Sequence, residues 1–261
     1  MREPAPAKAA TLDGVDWDIA SKTAACCRSA TVTLRGNALD TTLGSLVRLG
    51  SPAPVNVGLH ESVIVSLRRA TRARHNVLES ILQLAHPLSR RRYLDALTGF
   101  QLFLSTWEPR ISSALPATLR EWFAARSRYD LLLQDLAQFD RRPIVAQHIR
   151  DVCARAEGRI DLLSVPAVFG SMYVLEGSAL GGRVISKIAH DAMGLGPENG
   201  AAYFNGVHLD TATHWNGFCA LLAERVGSGG SARQDACAAA EQTFDALIST
   251  FKAIVGDHDA T

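Results

Sequence analysis

Several common features are scarce or missing in this chain of 261 residues. Its cysteines are odd in number and show no Cys-x-x-Cys or zinc-type spacing: Cys26, Cys27, Cys153, Cys219 and Cys237. This pattern excludes a disulfide framework and indicates reduced, mostly buried thiols. No apolar run is long enough to cross a bilayer, and the first residues lack the basic and then apolar pattern of a signal peptide. We therefore expect a cytoplasmic protein that does not span the membrane.

Strong net charge is also missing, although the charges are unevenly distributed. The formal net charge is +1, which excludes a general polyanion binder. Residues 62–160 carry sixteen Lys and Arg against nine Asp and Glu, whereas the remainder carries eleven against seventeen. An acidic partner or an anionic ligand would be attracted to the basic part, but Arg-rich helix surfaces are also commonly just solvated.

Alternating strand patterns are scarce, and helical periodicity dominates after residue 60. Residues 1–59 are rich in Ala, Thr, Gly, Ser and Pro and are predicted to form a poorly ordered N-terminal extension. Residues 60–261 are predicted to form one all-α domain of seven or eight helices. The main predicted helical segments are 61–82, 90–107, 116–139, 146–163, 169–188, 214–226 and 232–254.

The segment from Phe169 to Ile188 is unusually rich in glycine. Gly170, Gly177 and Gly181 are spaced by seven and four residues, which places them on one helix face, and Gly182 is adjacent. A glycine inside a helix costs about 1 kcal/mol relative to alanine, so the missing side chains need a reason. Either another helix crosses very closely here, or a planar ligand lies against the backbone.

Two other interpretations of this segment fit its residues poorly. A strand, a phosphate-binding loop at 177–182 and a following helix would require a Lys-Ser/Thr pair or GxGxxG spacing, and neither is present. Ser178 lacks the GxSxG context of a nucleophilic serine. The helical interpretation is therefore preferred.

His75 lies on the apolar face of the first predicted helix, among Leu67, Thr71 and Leu78. A lone histidine on such a face is usually structural. Glu79, at i+4, could accept a hydrogen bond from Nδ1 and leave Nε2 free for a metal. Arg68 lies two turns upstream, about 10 Å along the axis, although Arg68 and Glu79 could equally be ordinary solvated charges.

Taken together, the two helices suggest a slot for a planar cofactor. A neutral imidazole on one helix and a glycine-rich face of another helix opposite it would enclose a porphyrin. His75 would then be the axial ligand, with a small cavity at the sixth position.

Two motifs resemble those of the haem oxygenase family. Leu67-Arg-Arg-Ala-Thr-Arg-Ala-Arg-His-Asn-Val-Leu-Glu79 is similar to the proximal-helix signature, and Tyr173-Val-Leu-Glu-Gly-Ser-Ala-Leu-Gly-Gly-Arg-Val-Ile185 is similar to the distal helix of the bacteriophytochrome-associated bacterial branch. The resemblance covers residues 61–254. It implies an all-α haem oxygenase fold and the oxidative opening of haem to biliverdin, carbon monoxide and ferrous iron, with O₂ and an external reductant.

The resemblance also implies roles for individual residues. His75 would bind the haem iron, Glu79 would orient its ring, and Arg68 would hold a propionate. The other implied contacts are Thr71 in the proximal motif, Tyr173 at a propionate or pocket wall, Gly177, Gly181 and Gly182 as the distal backbone, and Gly177 with Ser178 next to bound oxygen.

Two departures from the family pattern bear on activity. Ser178 stands where animal and cyanobacterial members have an Asp that holds proton-delivering water, and Asn216 stands near a position that is often basic. A non-catalytic haem-binding or haem-sensing protein is therefore the main rival. A thiaminase-like or quinone-cofactor-related enzyme is disfavoured because those proteins lack a histidine in this context. The implied partners are an electron donor, such as an acidic ferredoxin or a reductase, and a bacteriophytochrome as biliverdin acceptor.

Overall fold

The computed structural model describes residues 61–85, 87–139, 145–206 and 211–259. Within these ranges the chain is helical, with no strand, so the predicted all-α class is confirmed. The predicted extension at residues 1–59 lies outside the described residues. The helices are α1 (Val63–Leu82), α2 (Arg90–Ala114), α3 (Ala117–Ala124), α4 (Tyr129–Ala137), α5 (Gln147–Glu157), α6 (Val165–Met193), α7 (Ala202–Asn205), α8 (Thr211–Val226) and α9 (Gly230–Asp259).

The glycine-rich segment is one continuous helix, α6, from Val165 to Met193. The Ser164 hydroxyl caps its N-terminus by accepting from the Ala167 amide. Gly194 ends it in the left-handed conformation, at φ 68°. The phosphate-loop interpretation of residues 177–182 is therefore wrong.

The predicted helix at 116–139 is in fact two helices, α3 and α4. They are separated by residues 125–128, Ala-Arg-Ser-Arg, and backbone bonds from Arg126 to Phe123 and from Ser127 to Ala124 tighten this turn. The sequence contained a signal for the break, because no large apolar residue follows Phe123 until Tyr129 and the three-to-four spacing is lost. The short helix α7 was not predicted.

Helices α6 and α9 form the centre of the domain. They pack against each other, α9 also packs against α1 and α5, and α6 also packs against α7 and α8. A buried chain of polar groups ties the centre together: Trp107 Nε1 donates to Ser171 Oγ at 2.9 Å, and Ser171 shares a 2.7 Å hydrogen bond with Thr243. Buried hydroxyls that are paired in this way avoid a desolvation cost of about 1–3 kcal/mol each.

Among the described residues, no helix combines the length and the apolar character needed to cross a membrane.

The buried aromatic residues fill the interior between α2, α6, α7 and α9. Phe100 shows this, because its ring contacts Tyr203, Phe204 and Phe251 at centroid distances of 5.4, 6.2 and 5.0 Å.

Candidate functional site

Helices α1 and α6 run in the same sense, because each follows the direction of α9. Arg69 of α1 lies near Cys237, and Arg74 further along α1 binds Asp245 at 2.8 Å. On α6, Ser164 binds Asp235 at 2.8 Å and Ser171 binds Thr243 at 2.7 Å. Because the residue numbers rise together along both contacts, α1 and α6 extend along α9 in the same direction.

One side-chain pair links α1 directly to α6. Arg68 lies close enough to Tyr173 for its positive charge to act on the phenol. Burial raises the pKa of Tyr173 above its ordinary value, and the Arg68 charge opposes this increase. Apart from such a bridge the backbones of α1 and α6 have little contact, because both helices pack mainly on α9.

The Arg68–Tyr173 pair gives a common reference point for the other candidate residues. His75 lies seven residues beyond Arg68, which is about 10 Å along the helix axis. Gly177 and Gly181 lie four and eight residues beyond Tyr173, which is about 6 and 12 Å. Because α1 and α6 run in the same direction, His75 and these two glycines lie on the same side of the Arg68–Tyr173 pair.

The His75 side chain is only partly buried, with 32% of its surface exposed. Its ring meets Phe244 of α9 edge to face, at a centroid distance of 6.0 Å. The distance from Nδ1 to Glu79 Oε2 is 3.6 Å, slightly too long for a hydrogen bond but short enough for electrostatic attraction. Glu79 therefore lies on the Nδ1 side of the ring.

The glycines of α6 differ in what surrounds them. A Cβ added to Gly170 would lie 2.0 Å from the Ala236 carbonyl oxygen, and one added to Gly182 would lie 2.7 Å from the Phe204 carbonyl oxygen. Close packing on α9 and α7 thus explains these two residues. Among the described residues, a Cβ on Gly177 would meet only the Trp215 ring, at 3.8 Å, which is an ordinary contact. Packing leaves Gly177 unexplained.

Helix packing alone gives a reason for glycine at position 182. Gly182 is buried, and the Phe204 backbone occupies the space that a side chain at this position would need. Thr71 is likewise buried, and its hydroxyl donates to the Leu67 carbonyl of its own helix at 2.8 Å. This hydrogen bond uses the hydroxyl proton of Thr71.

Asn216 lies on an exposed position of α8, whereas its neighbours Trp215 and Phe218 are buried.

The Ser178 hydroxyl of α6 has two hydrogen-bond partners, one in its own helix and one in the turn between α3 and α4. It donates to the Leu175 carbonyl at 2.7 Å and accepts from Arg128 Nη2 at 3.1 Å. Arg128 Nη2 also donates to the Leu175 carbonyl at 2.6 Å, and the guanidinium lies 5.0 Å from the centroid of the Tyr203 ring. The single proton of Ser178 is therefore already used within the protein.

A second arginine from the same turn holds the preceding residue of α6. Arg126 Nε and Nη2 donate to the two carboxylate oxygens of Glu176, at 2.7 and 2.8 Å. Sequence patterns missed both arginines because the turn that carries them was placed inside a continuous helix.

A family model described as Heme oxygenase matches residues 61–253 of the chain. A curated heme oxygenase from Xanthomonas campestris pv. campestris is 31% identical over 154 residues, which cover 59% of this chain and 81% of that protein. The family match therefore includes α1 and α6, and the curated relative is matched over most of its length.

Solved structures support the same fold. The TM-score is 0.62 to heme oxygenase 2 from Chlamydomonas reinhardtii without heme, at 18% identity and coverage of 74% of this chain and 98% of that one. It is 0.60 to the Leptospira interrogans heme oxygenase, at 19% identity and coverage of 73% and 98%. It is 0.57 to the NO- and CO-bound heme oxygenase from Neisseria meningitidis, at 21% identity and coverage of 75% and 92%.

Proposed function

The chain belongs to the heme oxygenase family, and on that premise we propose that it binds haem between α1 and α6 and opens it to biliverdin, carbon monoxide and ferrous iron. The observation that supports the proposal is that His75 on α1 and Gly177 and Gly181 on α6 lie on the same side of the Arg68–Tyr173 pair, on helices that run in the same direction. Haem is the substrate, and its iron activates O₂ with electrons from an external reductant.

His75 is proposed as the axial ligand of the haem iron. Glu79 lies on the Nδ1 side of the ring, so it favours a proton on Nδ1 and leaves the Nε2 lone pair for the metal. The neighbouring Phe244 ring limits rotation of the imidazole. A neutral imidazole donates less electron density to iron than a thiolate does, and this suits a reaction in which the porphyrin edge is the atom group oxidised.

Gly177 and Gly181 are proposed as the distal wall. The absence of a side chain at Gly177 leaves space that Trp215 borders in the described part of the chain. Haem carries two propionates, and the positive charge and phenol needed to hold one are present together in Arg68 and Tyr173.

The finer assignments follow from the same proposal. The likeness of residues 173–185 to the bacteriophytochrome-associated branch suggests a bacteriophytochrome as the biliverdin acceptor, in the cytoplasm. The electron donor is proposed to be an acidic protein such as a ferredoxin or a reductase, since residues 62–160 carry the basic excess.

A hemin titration tests the proposal directly. Purified protein should develop a Soret band at one equivalent of hemin, and His75→Ala should shift or weaken that band. His148→Ala, which changes an exposed histidine on α5, should leave it intact. If hemin gives no new Soret band with the parent protein, or if His75→Ala has the parent spectrum, the assignment of the iron ligand fails.

One observation favours a second function, a haem-binding or haem-sensing protein without turnover. The Ser178 hydroxyl donates its proton to Leu175 and accepts from Arg128, so it has no second proton to supply to a bound oxygen molecule. Ascorbate added to the hemin complex under air separates the two functions. Biliverdin absorbance supports the enzyme, whereas a stable reduced haem spectrum without biliverdin supports the sensor.

A further inference from the structure

Arg126 forms a largely buried clamp between three parts of the fold. It belongs to the turn between α3 and α4, and its fork donates to both oxygens of Glu176 on α6. Nη2 also donates to the His214 carbonyl of α8 at 2.9 Å, and the guanidinium stacks 4.6 Å from the Trp122 ring centroid. The Arg126 and Glu176 side chains are only 9% and 17% exposed.

The two groups that Arg126 binds belong to residues next to the two members of the Gly177–Trp215 contact. Glu176 immediately precedes Gly177, and His214 immediately precedes Trp215. Trp215 is the ring that borders the space at Gly177, and it also meets Tyr173 at a centroid distance of 5.9 Å. One guanidinium therefore fixes both sides of this contact.

The clamp acts where α6 is intrinsically weakest. Gly177, Gly181 and Gly182 fall within six residues, and each lowers the helix propensity by about 1 kcal/mol relative to alanine. A bidentate arginine–carboxylate pair with little solvent exposure has defined geometry, and losing one partner leaves a charge poorly compensated. The Arg126 contacts thus restrain α6 at the stretch where its own helix propensity is lowest.

We propose that Arg126 is a positioning residue, which holds the glycine stretch of α6 against α8 and thereby limits how readily α6 moves away from α1 to admit haem and release the product. The inference rests on the proposed function for its haem part. Its structural part, the restraint on residues 176–182, applies to the haem-free protein as well.

Amide hydrogen exchange of the haem-free protein tests the restraint. Arg126→Met keeps the length and the apolar stem of the side chain but removes the fork, and it should speed exchange at residues 177–182 about tenfold or more. Arg110→Met is the matched control. Arg110 donates to the Glu157 and Ile160 carbonyls across another helix pair, so its loss should leave exchange at 177–182 unchanged. Equal exchange in Arg126→Met and the parent protein would overturn the proposal.

Transfer of haem to excess apomyoglobin tests the functional part. Haem should leave Arg126→Met about tenfold faster than it leaves the parent protein, whereas Arg110→Met should match the parent. Arg126→Lys, which keeps the charge without the fork, should be intermediate. Faster exchange with unchanged haem release would refute the link to ligand entry and exit.

A further variant keeps the proposal testable if Arg126→Met does not fold. Glu176→Gln retains the side-chain volume and removes the charge, so exchange at 177–182 should again rise, by a smaller factor. In the Arg126→Met, Glu176→Gln double variant the effects should be less than multiplicative, because both changes remove one interaction. Multiplicative effects would count against the clamp. If the parent protein does not bind hemin at all, the proposed function fails, while the exchange experiment still decides the restraint.

Discussion

Alanine at Gly177 is expected to stabilise the haem-free protein and to weaken haem binding. The added methyl group would lie 3.8 Å from the Trp215 ring, an ordinary contact that costs little. Replacing glycine in a helix interior contributes about 1 kcal/mol, which corresponds to about 2–4 °C in the melting temperature of a domain of roughly 200 residues. The same methyl group would narrow the proposed haem space, so the Kd for hemin should rise about tenfold.

Gly170→Ala is the contrasting variant. Its methyl group would lie 2.0 Å from the Ala236 carbonyl oxygen, so the backbones of α6 and α9 would have to separate by more than an ångström. Overpacking of this kind costs about 3 kcal/mol or more, which exceeds the gain in helix propensity. The melting temperature should therefore fall.

Differential scanning calorimetry of the haem-free variants and hemin titration measure the two effects separately. A lower melting temperature for Gly177→Ala would contradict the packing derived for this residue. A higher melting temperature with an unchanged Kd for hemin would show that Gly177 does not face the ligand, and the proposed distal wall would be wrong.

Three further outcomes follow from charge and burial. Turnover with an acidic protein donor should fall as salt rises, whereas turnover with ascorbate should not, and equal slowing would argue against docking at residues 62–160. Burial raises the pKa of Glu157 above its ordinary value of 4.5, so the free energy of unfolding should fall as the pH rises through the raised pKa. Glu157→Gln should flatten this pH dependence in urea titrations, and an unchanged slope would contradict the prediction. Asp135→Ala should cost about 1–3 kcal/mol, measured by urea unfolding, because Asp135 accepts from the Ala202 and Tyr203 amides at 2.7 and 2.8 Å; a smaller loss would mean that water replaces the carboxylate.

Local pattern predicted the helices and much of the candidate site, because helix periodicity depends on near neighbours. The stripe that carries Leu67 and Leu78 predicted α1, and the family motifs identified His75, Glu79, Arg68 and Tyr173 as a group. The break between α3 and α4 was missed, since a four-residue turn of helix-compatible residues leaves only a lapse in apolar spacing.

Sequence by itself determined the all-α class and the family, and it singled out the residues proposed to bind an iron and a propionate, because each of these depends on residue type and short-range spacing. Only the tertiary structure distinguished the glycines of α6: Gly170 and Gly182 are required by the close approach of Ala236 and Phe204, and Gly177 is not. It also brought Arg126 to Glu176 and His214, which lie 50 and 88 residues away along the chain. Contacts over such separations depend on how helices cross, and no local pattern encodes that geometry.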